Sequence, residues 1–186
     1  MFNEIIYTRR LQLRRIRETD LPLIHMWSNS DTACGPYLTP ARLTAKSLYE
    51  QYTANAFWSL RDKKFIIEKR DGLLPIGTIR YWLKPDQEKN AVMSVNIADI
   101  RERAKGFGTE AQKYLIMHLF EQIGVKTLEM YTDIDNLPQQ RCLKKLGFSI
   151  ARSLTYEDRQ VSRTGCLFVL TAEAFQSTAI YRFHYE

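Results

Sequence analysis

Residues 91–109 read AVMSVNIADIRERAKGFGT, and this stretch decides the fold. Its first eight residues are mostly apolar or β-branched, which predicts a strand over 91–98. Residues 109–123 carry apolar side chains at helical spacing and stop before Gly124, a residue type that commonly terminates helices. The sequence therefore predicts a strand that leads directly into a long helix through a turn with two glycines.

The turn itself, residues 103–109, has the composition of an anion-binding loop. Gly106 and Gly108 allow backbone N–H groups to point into one concavity, and the helix N-terminus adds positive potential. Arg103 and Lys105 strengthen that potential. Such a turn suits a phosphate or pyrophosphate, although glycines here would also serve a turn that needs only tight geometry. The third glycine of the dinucleotide fingerprint is absent, and so is the Gly-Lys-Ser/Thr of ATP-binding loops.

Outside this segment the periodicity predicts a mixed α/β protein. A strand over 5–16 precedes a helix from about 20 to 28 and a second helix over about 44–57. The other predicted elements are strands at 65–67, 76–83, 127–134, 148–154 and 166–170 and a helix at 138–146. The expected order is β α α β β β α β α β β, in one domain over residues 1–186 with three consecutive antiparallel strands.

Composition narrows the class of protein. The 186 residues are 45% hydrophobic and carry no apolar run long enough for a membrane span, and the N-terminal residues do not form a secretory signal, so we expect a cytoplasmic protein. The three widely spaced cysteines indicate neither a disulfide framework nor a zinc site. The net charge of +6 favours an anionic partner, namely nucleic acid, an acidic membrane surface or a polyphosphate cofactor. A nucleic-acid-binding domain is the weaker alternative because no helix-turn-helix, RNP or zinc motif is present.

Three segments together resemble the GNAT-superfamily N-acetyltransferases, most closely their RimJ/RimL-like branch. The first is Arg-x-x-Gly-x-Gly at 103–108, followed by Thr-Glu-Ala. The second, at 136–148, is similar to the family's Asn-x-x-Ser-x-Arg-x-Leu-x-Lys-Leu-Gly-Phe, and the third is the opening strand at 8–14 with Asp20-Leu21. The resemblance implies a mixed α/β GNAT-like fold whose mostly antiparallel sheet is splayed at a parallel strand pair, with helices on both faces.

The resemblance also implies acetyl-CoA as co-substrate, with no metal. Backbone groups of Ile97 and Ala98 would pair with pantetheine like an added strand. Asn136 would hydrogen-bond the pantetheine arm, and Lys145 would reach an adenosine phosphate or remain a solvated lysine. The amides that would hold the pyrophosphate belong to Arg103, Ala104, Lys105, Gly106, Phe107, Gly108 and Thr109.

Catalysis in such a site is mostly positioning, but the attacking amine must lose a proton. We name Asp133 first as the base and Glu110 second; their alternative roles are to end a strand and to satisfy a helix N-terminus. The leaving thiolate benefits from an acid. Gln139 stands where the branch often has Ser, and Leu143 where other members have Tyr, so neither position supplies that acid.

The resemblance places the acceptor pocket at the first two helices and the loop between them, with Trp27, Tyr37, Tyr81 and Trp82 as substrate-binding candidates. We expect a peptide N-terminus or a small-molecule amine as acceptor, no nucleic-acid or membrane partner, and a polycationic acceptor only if a local acidic cluster exists. A catalytically silent acetyl-CoA sensor is the alternative function. The apolar residues 180–185 suggest a packed tail or a contact in a homodimer, with a disordered tail as the alternative.

Overall fold

The structure, a computed structural model, describes residues 4–85 and 87–182. Within these two ranges, eight strands form one sheet in the order β1-β2-β3-β4-β5-β6-β8-β7. The strands are β1 (Ile5–Tyr7), β2 (Leu11–Arg15), β3 (Asp62–Lys69), β4 (Pro75–Lys84), β5 (Gln87–Ile97), β6 (Thr127–Asp133), β7 (Ser149–Asp158) and β8 (Val161–Thr171). All neighbouring pairs are antiparallel except β5 and β6, which run parallel.

Six α-helices connect or flank these strands within the described ranges. They are α1 (Leu21–Ser28), α2 (Asp31–Cys34), α3 (Ala45–Thr53), α4 (Phe107–His118), α5 (Leu137–Lys145) and α6 (Ala172–Ser177). A π-helical turn extends α4 to Ile123, and Gly124 ends it with a left-handed φ of 75°. None of the helices in the part of the chain that the structure describes has the length and apolar character of a membrane span.

The mixed α/β prediction is confirmed, and the differences have local causes. The expected strand over 5–16 is two strands, because the chain turns at Thr8, whose amide donates to the carbonyl of Leu11 at 2.9 Å. The four-residue α2 and the six-residue α6 were not predicted, since neither is long enough to show helical periodicity. The helix expected at 44–57 ends at Thr53, where the chain turns toward β3.

The sheet opens between β5 and β6. These two strands pair over only three residues each, from Asn90 to Val92 and from Thr127 to Glu129. Both strands then continue, to Ile97 and Asp133, without further pairing to each other. The backbone of β5 beyond Val92 is therefore exposed on one side to a wedge-shaped opening.

The sheet carries a hydrophobic core on each face. The larger core includes residues of α4 and α5, such as Leu115 and Leu143, against Phe65 of β3. The smaller core joins α1, α2 and α3 to Ile66 on the opposite face. This face also holds a buried ion triad, in which Arg14 contacts Asp20 at 2.7 Å and Glu68 at 2.6 Å and fixes the start of α1 to the sheet.

The chain end packs onto the larger core as far as the structure describes it. Tyr181 is buried against Phe175, and its hydroxyl donates to the carbonyl of Leu146 at 2.7 Å. The start of the apolar segment is therefore a packed tail. Residues 183–185, the rest of that prediction, lie outside the described residues.

Candidate active site

The glycine turn presents a row of unpaired amides. Its backbone alternates in handedness, with φ of 60° at Ala104 and 81° at Gly106 on either side of Lys105. Alternation of this kind turns successive N–H groups toward one concavity. Within the described residues the amides of 104–109 have no hydrogen-bond acceptor, and they lead into the N-terminus of the 12-residue α4. The turn thus has the donors and the dipole that a pyrophosphate requires.

Basic side chains surround this turn and are held in place by acceptors. Lys105 and Lys69 both contact the buried carboxylate of Glu102, at 3.2 and 3.6 Å. Arg10 donates to the carbonyl of Lys105 at 3.1 Å and lies over the ring of Phe107, 4.4 Å from its centroid. Cations beside the concavity raise its affinity for a polyanion.

Arg103 has a different position from the rest of the turn. Its amide donates to the carbonyl of Ile100, so the row of free amides starts at Ala104. Its Nε donates to the carbonyl of Ile97 at 2.7 Å, and its Nη2 donates to the carbonyl of Ala33 at 2.6 Å. Arg103 therefore links the end of β5 to α2.

The end of β5 offers backbone groups to the opening beside β6. Ala98 donates its amide to the carbonyl of Ile76, so it faces β4. Because ladder hydrogen bonds alternate along an antiparallel strand, the backbone groups of Val95 and Ile97 face the opening. Of the two positions predicted to pair with pantetheine, Ile97 presents its N–H there, while the Ala98 amide is already bonded.

Glu110 lies one turn into α4 and is fully engaged. Its Oε1 accepts from the Thr8 hydroxyl at 2.6 Å and from the Arg10 amide at 2.7 Å, and its Oε2 accepts from Arg10 Nε at 2.7 Å. Burial acts to raise the pKa of Glu110, but the hydrogen bonds from Thr8 and Arg10 outweigh it and the pKa is lowered. This carboxylate ties the β1–β2 turn to α4 and is poorly suited to accept a proton.

Asp133 is at the end of β6 and also has partners. Its Oδ1 accepts from the Asp135 amide at 2.9 Å, and its Oδ2 lies 3.4 Å from Arg163 Nη1. Arg163 also lies 3.3 Å from Asp158 and donates to Thr39 and to the carbonyl of residue 36. This cluster attaches the loop between α2 and α3 to the far end of the sheet.

Asn136 and Lys145 stand at the two ends of α5. The Asn136 Oδ1 caps the helix by accepting from the Gln139 amide at 3.2 Å, which leaves its Nδ2 without an acceptor among the described residues. Lys145 is exposed, and its charge helps to lower the pKa of Lys113, for which burial is the larger cause. Both predicted cofactor residues therefore have a polar group available.

The two positions where the family supplies an acid carry no acidic group. Leu143 is fully buried in the larger core. The Gln139 side chain donates to Gln112 Oε1 at 2.6 Å. Cys142 Sγ lies 3.2 Å from Thr109 Oγ1, and burial raises the pKa of this thiol, so it stays protonated at neutral pH.

A cavity of about 320 Å³ opens on the sheet face that carries α1 and α2. Its floor comprises the side chains that point to this face from three adjacent strands, and its walls come from α1, the α2–α3 loop and the β7–β8 turn. The lining residues include Trp27, Lys64, Arg80, Trp82, Ser94, Val95, Asp158 and Arg159. β5 supplies part of the cavity floor, and the edge of β5 away from β4 faces the opening beside β6. The cavity and the opening therefore lie next to the same strand.

Two of the four predicted substrate-binding residues line this cavity, namely Trp27 and Trp82. Tyr37 lies in the α2–α3 loop and donates its hydroxyl to the carbonyl of Asp135 at 3.1 Å, so it holds the loop in place. Tyr81 points to the opposite face, where it is buried against Phe65 and burial raises the pKa of its phenol. The structure does not bring Tyr81 to the cavity.

Sequence reasoning missed the basic residues of the cavity. Lys64 and Arg80 are directly opposite each other on β3 and β4, and Arg159 lies in the β7–β8 turn. A charged residue inside an apolar strand was the available signal, since Lys64 precedes Phe65-Ile66-Ile67 and Arg80 interrupts residues 76–83. Their convergence depends on strand register, which that signal does not contain.

The fold is mixed α/β with a single parallel strand pair in the described sheet, and the family comparison defines its class. Residues 10–149 match the family model for the acetyltransferase (GNAT) domain. The chain therefore belongs to the GNAT acetyltransferase family and is an acetyl-CoA-dependent N-acetyltransferase. No curated protein sequence matches it.

Solved structures show the same fold at low sequence identity. The aminoglycoside acetyltransferase AAC(6')-Ib, in complex with paromomycin and acetyl-CoA, is 22% identical with a TM-score of 0.75, covering 91% of this chain and 98% of that one. A GNAT-family acetyltransferase from Bacillus anthracis is 16% identical with a TM-score of 0.76, covering 91% and 99%. A chimera of Vibrio cholerae spermidine N-acetyltransferase SpeG and hSSAT is 15% identical with a TM-score of 0.77, covering 90% and 99%.

Proposed function

We propose that this chain transfers the acetyl group of acetyl-CoA to the primary amine of a small molecule, and that the amine attacks directly while both substrates are bound. The observation that carries the proposal is the meeting of two features at the end of β5. The free amides of 104–109 and the opening beside β6 lie at one edge of the strand, and the cavity lies on its face.

The free hydrogen-bond donors indicate which residues would hold acetyl-CoA. The amides of 104–109 would bind the pyrophosphate, the N–H of Ile97 would pair with pantetheine, and the Asn136 amide would support the pantetheine arm. Lys145 would contact an adenosine phosphate. Acetyl-CoA supplies the activated acetyl thioester, and the residues of the chain hold it beside the cavity.

The cavity favours a small molecule as the acceptor. The cavity volume suits a compact amine, and structural neighbours include acetyltransferases whose acceptors are spermidine and aminoglycosides. Val95 lines the cavity and its amide faces the opening, so this N–H is placed to polarise an acetyl carbonyl. We also propose that the chain belongs to the RimJ/RimL-like branch, because residues 8–14 resemble the opening strand of that branch. The acceptor in this site would be a free small amine.

Proton removal in this proposal proceeds through water. Asp133 and Glu110 are both outside the cavity lining and both have donors on each carboxylate oxygen. Asp158 is the lining carboxylate, and it accepts from the Thr39 amide at 2.7 Å. We therefore assign Asp133 a positioning role through Arg163, and Glu110 the anchoring of the β1–β2 turn.

The test is a calorimetric titration with acetyl-CoA, with CoA, ATP and NAD as comparisons, for the wild type and two variants of Gly108. A Cβ at this position would lie 3.6 Å from Ile97 Cγ1, an ordinary contact, so Gly108→Ala and Gly108→Val should both fold. The two γ-methyl groups of Val would fill space beside the free amides. We expect Gly108→Val to weaken acetyl-CoA binding about tenfold or more and Gly108→Ala to weaken it less.

Equal affinity in all three proteins would remove the glycine turn from the cofactor site. Thiol release in the presence of amines then tests the transfer step. An acetyl-CoA complex that releases thiol with no member of a broad amine panel would favour the silent sensor.

A further inference from the structure

The cavity floor contains a cross-strand row of basic and hydroxyl side chains. Strand register places Lys64 directly opposite Arg80, and Arg80 directly opposite Ser94. All three line the cavity, and Arg159 lines it from the β7–β8 turn. Like charges directly opposite each other on neighbouring strands are destabilising, so the row carries an electrostatic cost in the absence of a bound anion.

The acidic groups near this row pair with only part of it. Arg80 is paired with Asp62, with Nε 2.7 Å from Oδ1. Asp158, the carboxylate that lines the cavity, is used by the Thr39 amide and by Arg163. Among the described residues, no carboxylate forms an ion pair with Lys64 or Arg159.

The Lys64 ammonium is surrounded by an aromatic ring and by other positive charges. Its ammonium contacts the ring of Phe57, 5.7 Å from the centroid. Burial, followed by the charges of Arg80 and Arg159, lowers its pKa to about 8, and Asp62 opposes this only in part. An anion bound at the row would relieve the penalty and raise the pKa of Lys64 again.

We infer that the acceptor is a small primary amine that carries an anionic group, a carboxylate or a phosphate, which binds at Lys64, Arg80 and Ser94. The inference rests on the proposed function and names its substrate class. Ser94 is three residues from Ile97, which corresponds to about 10 Å along β5. The amine would lie between these points, near Val95, so its nitrogen would be several bonds from the anionic group.

Polycationic amines are the opposite of what this row recognises. A diamine or polyamine of similar length would place a second ammonium group against Lys64 and Arg159. Among the described lining residues the carboxylate is that of Asp158, which already accepts from the Thr39 amide and lies 3.3 Å from Arg163. The same cavity therefore selects among amines by the charge at their far end.

The experiment measures amine-dependent thiol release from acetyl-CoA for short aliphatic amines of similar length. The probes are γ-aminobutyrate, its carboxamide, putrescine and aminopropyl phosphate, tested with the wild type, Lys64→Met and the control Lys46→Met. Lys46 is on α3 with 86% of its side chain exposed. Acetyl-CoA affinity is measured in the same preparations.

We expect γ-aminobutyrate or aminopropyl phosphate to have a kcat/KM about tenfold or more above the carboxamide and putrescine in the wild type. Lys64→Met should remove most of that preference with unchanged acetyl-CoA affinity, and Lys46→Met should retain it. The more active of the two anionic probes identifies carboxylate or phosphate as the preferred group.

Equal or better use of putrescine or the carboxamide would overturn the anionic acceptor and leave acetyl transfer intact. An anion preference that persists in Lys64→Met would overturn the assignment of the row. Thiol release with none of the four probes would overturn the acceptor class. In that case the proposed function survives if the protein binds acetyl-CoA and turns over other amines. It fails as well if the protein neither binds acetyl-CoA nor turns over any amine.

Discussion

Glu110 and Arg10 form a two-point contact, in which the Arg10 amide and the Arg10 guanidinium each donate to a different oxygen of the same carboxylate at 2.7 Å. The Thr8 hydroxyl adds a third donor at 2.6 Å. Thr8 and Arg10 lie in the turn between β1 and β2, at the edge of the sheet. Their contact with Glu110 therefore fixes this edge to the first turn of α4, the helix that follows the glycine turn.

Glu110→Gln should therefore reduce stability and leave the pH profile of turnover in place. Its carboxylate is 12% exposed and has three donors, so we expect a loss of about 1–3 kcal/mol in the free energy of unfolding. The pKa of Glu110 is lowered in the folded state, so its contribution is present above the unfolded value near 4.5 and is lost as the pH falls through the folded value.

Urea denaturation between pH 3 and 7 measures this effect. The gap between wild type and Glu110→Gln should be largest near neutrality and narrow below about pH 4.5. Glu50→Gln is the control, since Glu50 is 63% exposed on α3 and 3.9 Å from Lys46. The anchoring role would be contradicted if the difference in free energy of unfolding between the two proteins stayed constant from pH 3 to 7. It would also be contradicted if Glu110→Gln removed the rising or falling side of the pH profile of turnover.

Arg103→Ala should lower both stability and acetyl-CoA affinity. The side chain donates to the carbonyls of Ile97 and Ala33, and its loss would release the end of β5 and α2 together. We expect about 2 kcal/mol of destabilisation and weaker cofactor binding, measured by thermal unfolding and calorimetry. Arg101→Ala is the control, since the Arg101 side chain is 81% exposed and bonds to Asp99, two residues away on the same turn. Equal effects of the two variants would argue against a specific link.

The sequence predicted the features that depend on local order. The strand, glycine turn and helix over 91–123 are signalled by residues that are adjacent or one helical turn apart. The family motifs named residues for the cofactor half of the site on the same local basis, and those assignments stay predictions. Leu143 has no proton to donate, so its identity alone predicts that this position supplies no acid.

The lining of the cavity was not predictable in this way. The Lys64–Arg80–Ser94 row depends on the register of three strands, and the Arg163 cluster joins residues more than a hundred positions apart, such as Thr39 and Asp158. Tyr81 and Trp82 are neighbours in the sequence, but alternation along β4 sends them to opposite faces of the sheet. Single-sequence patterns indicate alternation without showing which face meets the cavity.

Asp133→Asn should leave the pH dependence of kcat unchanged and raise the KM for the amine severalfold. The substitution removes the charge that faces Arg163, and Arg163 holds the loop that contains Thr39 at the cavity. Steady-state kinetics across pH measure both parameters. Asp135→Asn, at an exposed neighbouring position, is the control. A fall of about a hundredfold or more in kcat at neutral pH would instead identify Asp133 as the base.

Lys64→Met should make the protein more stable while it loses preference for an anionic acceptor. The variant removes a partly buried ammonium that has no carboxylate partner among the described residues and replaces it with a side chain of similar length. We expect the free energy of unfolding to rise by about 1 kcal/mol or more near pH 7.

The pH dependence of that gain identifies its origin. The folded-state pKa of Lys64 is about 8, below the ordinary value of 10.5, so between these values the unfolded chain binds a proton that the folded chain does not. Wild-type stability from this group therefore rises with pH across that interval. The advantage of Lys64→Met should be largest below pH 8 and shrink toward pH 10, as measured by urea denaturation of both proteins. Lys46→Met, which removes an exposed lysine, should show no such trend. An advantage that is absent at pH 7, or that does not shrink with rising pH, would mean that Lys64 carries no unrelieved charge in the cavity.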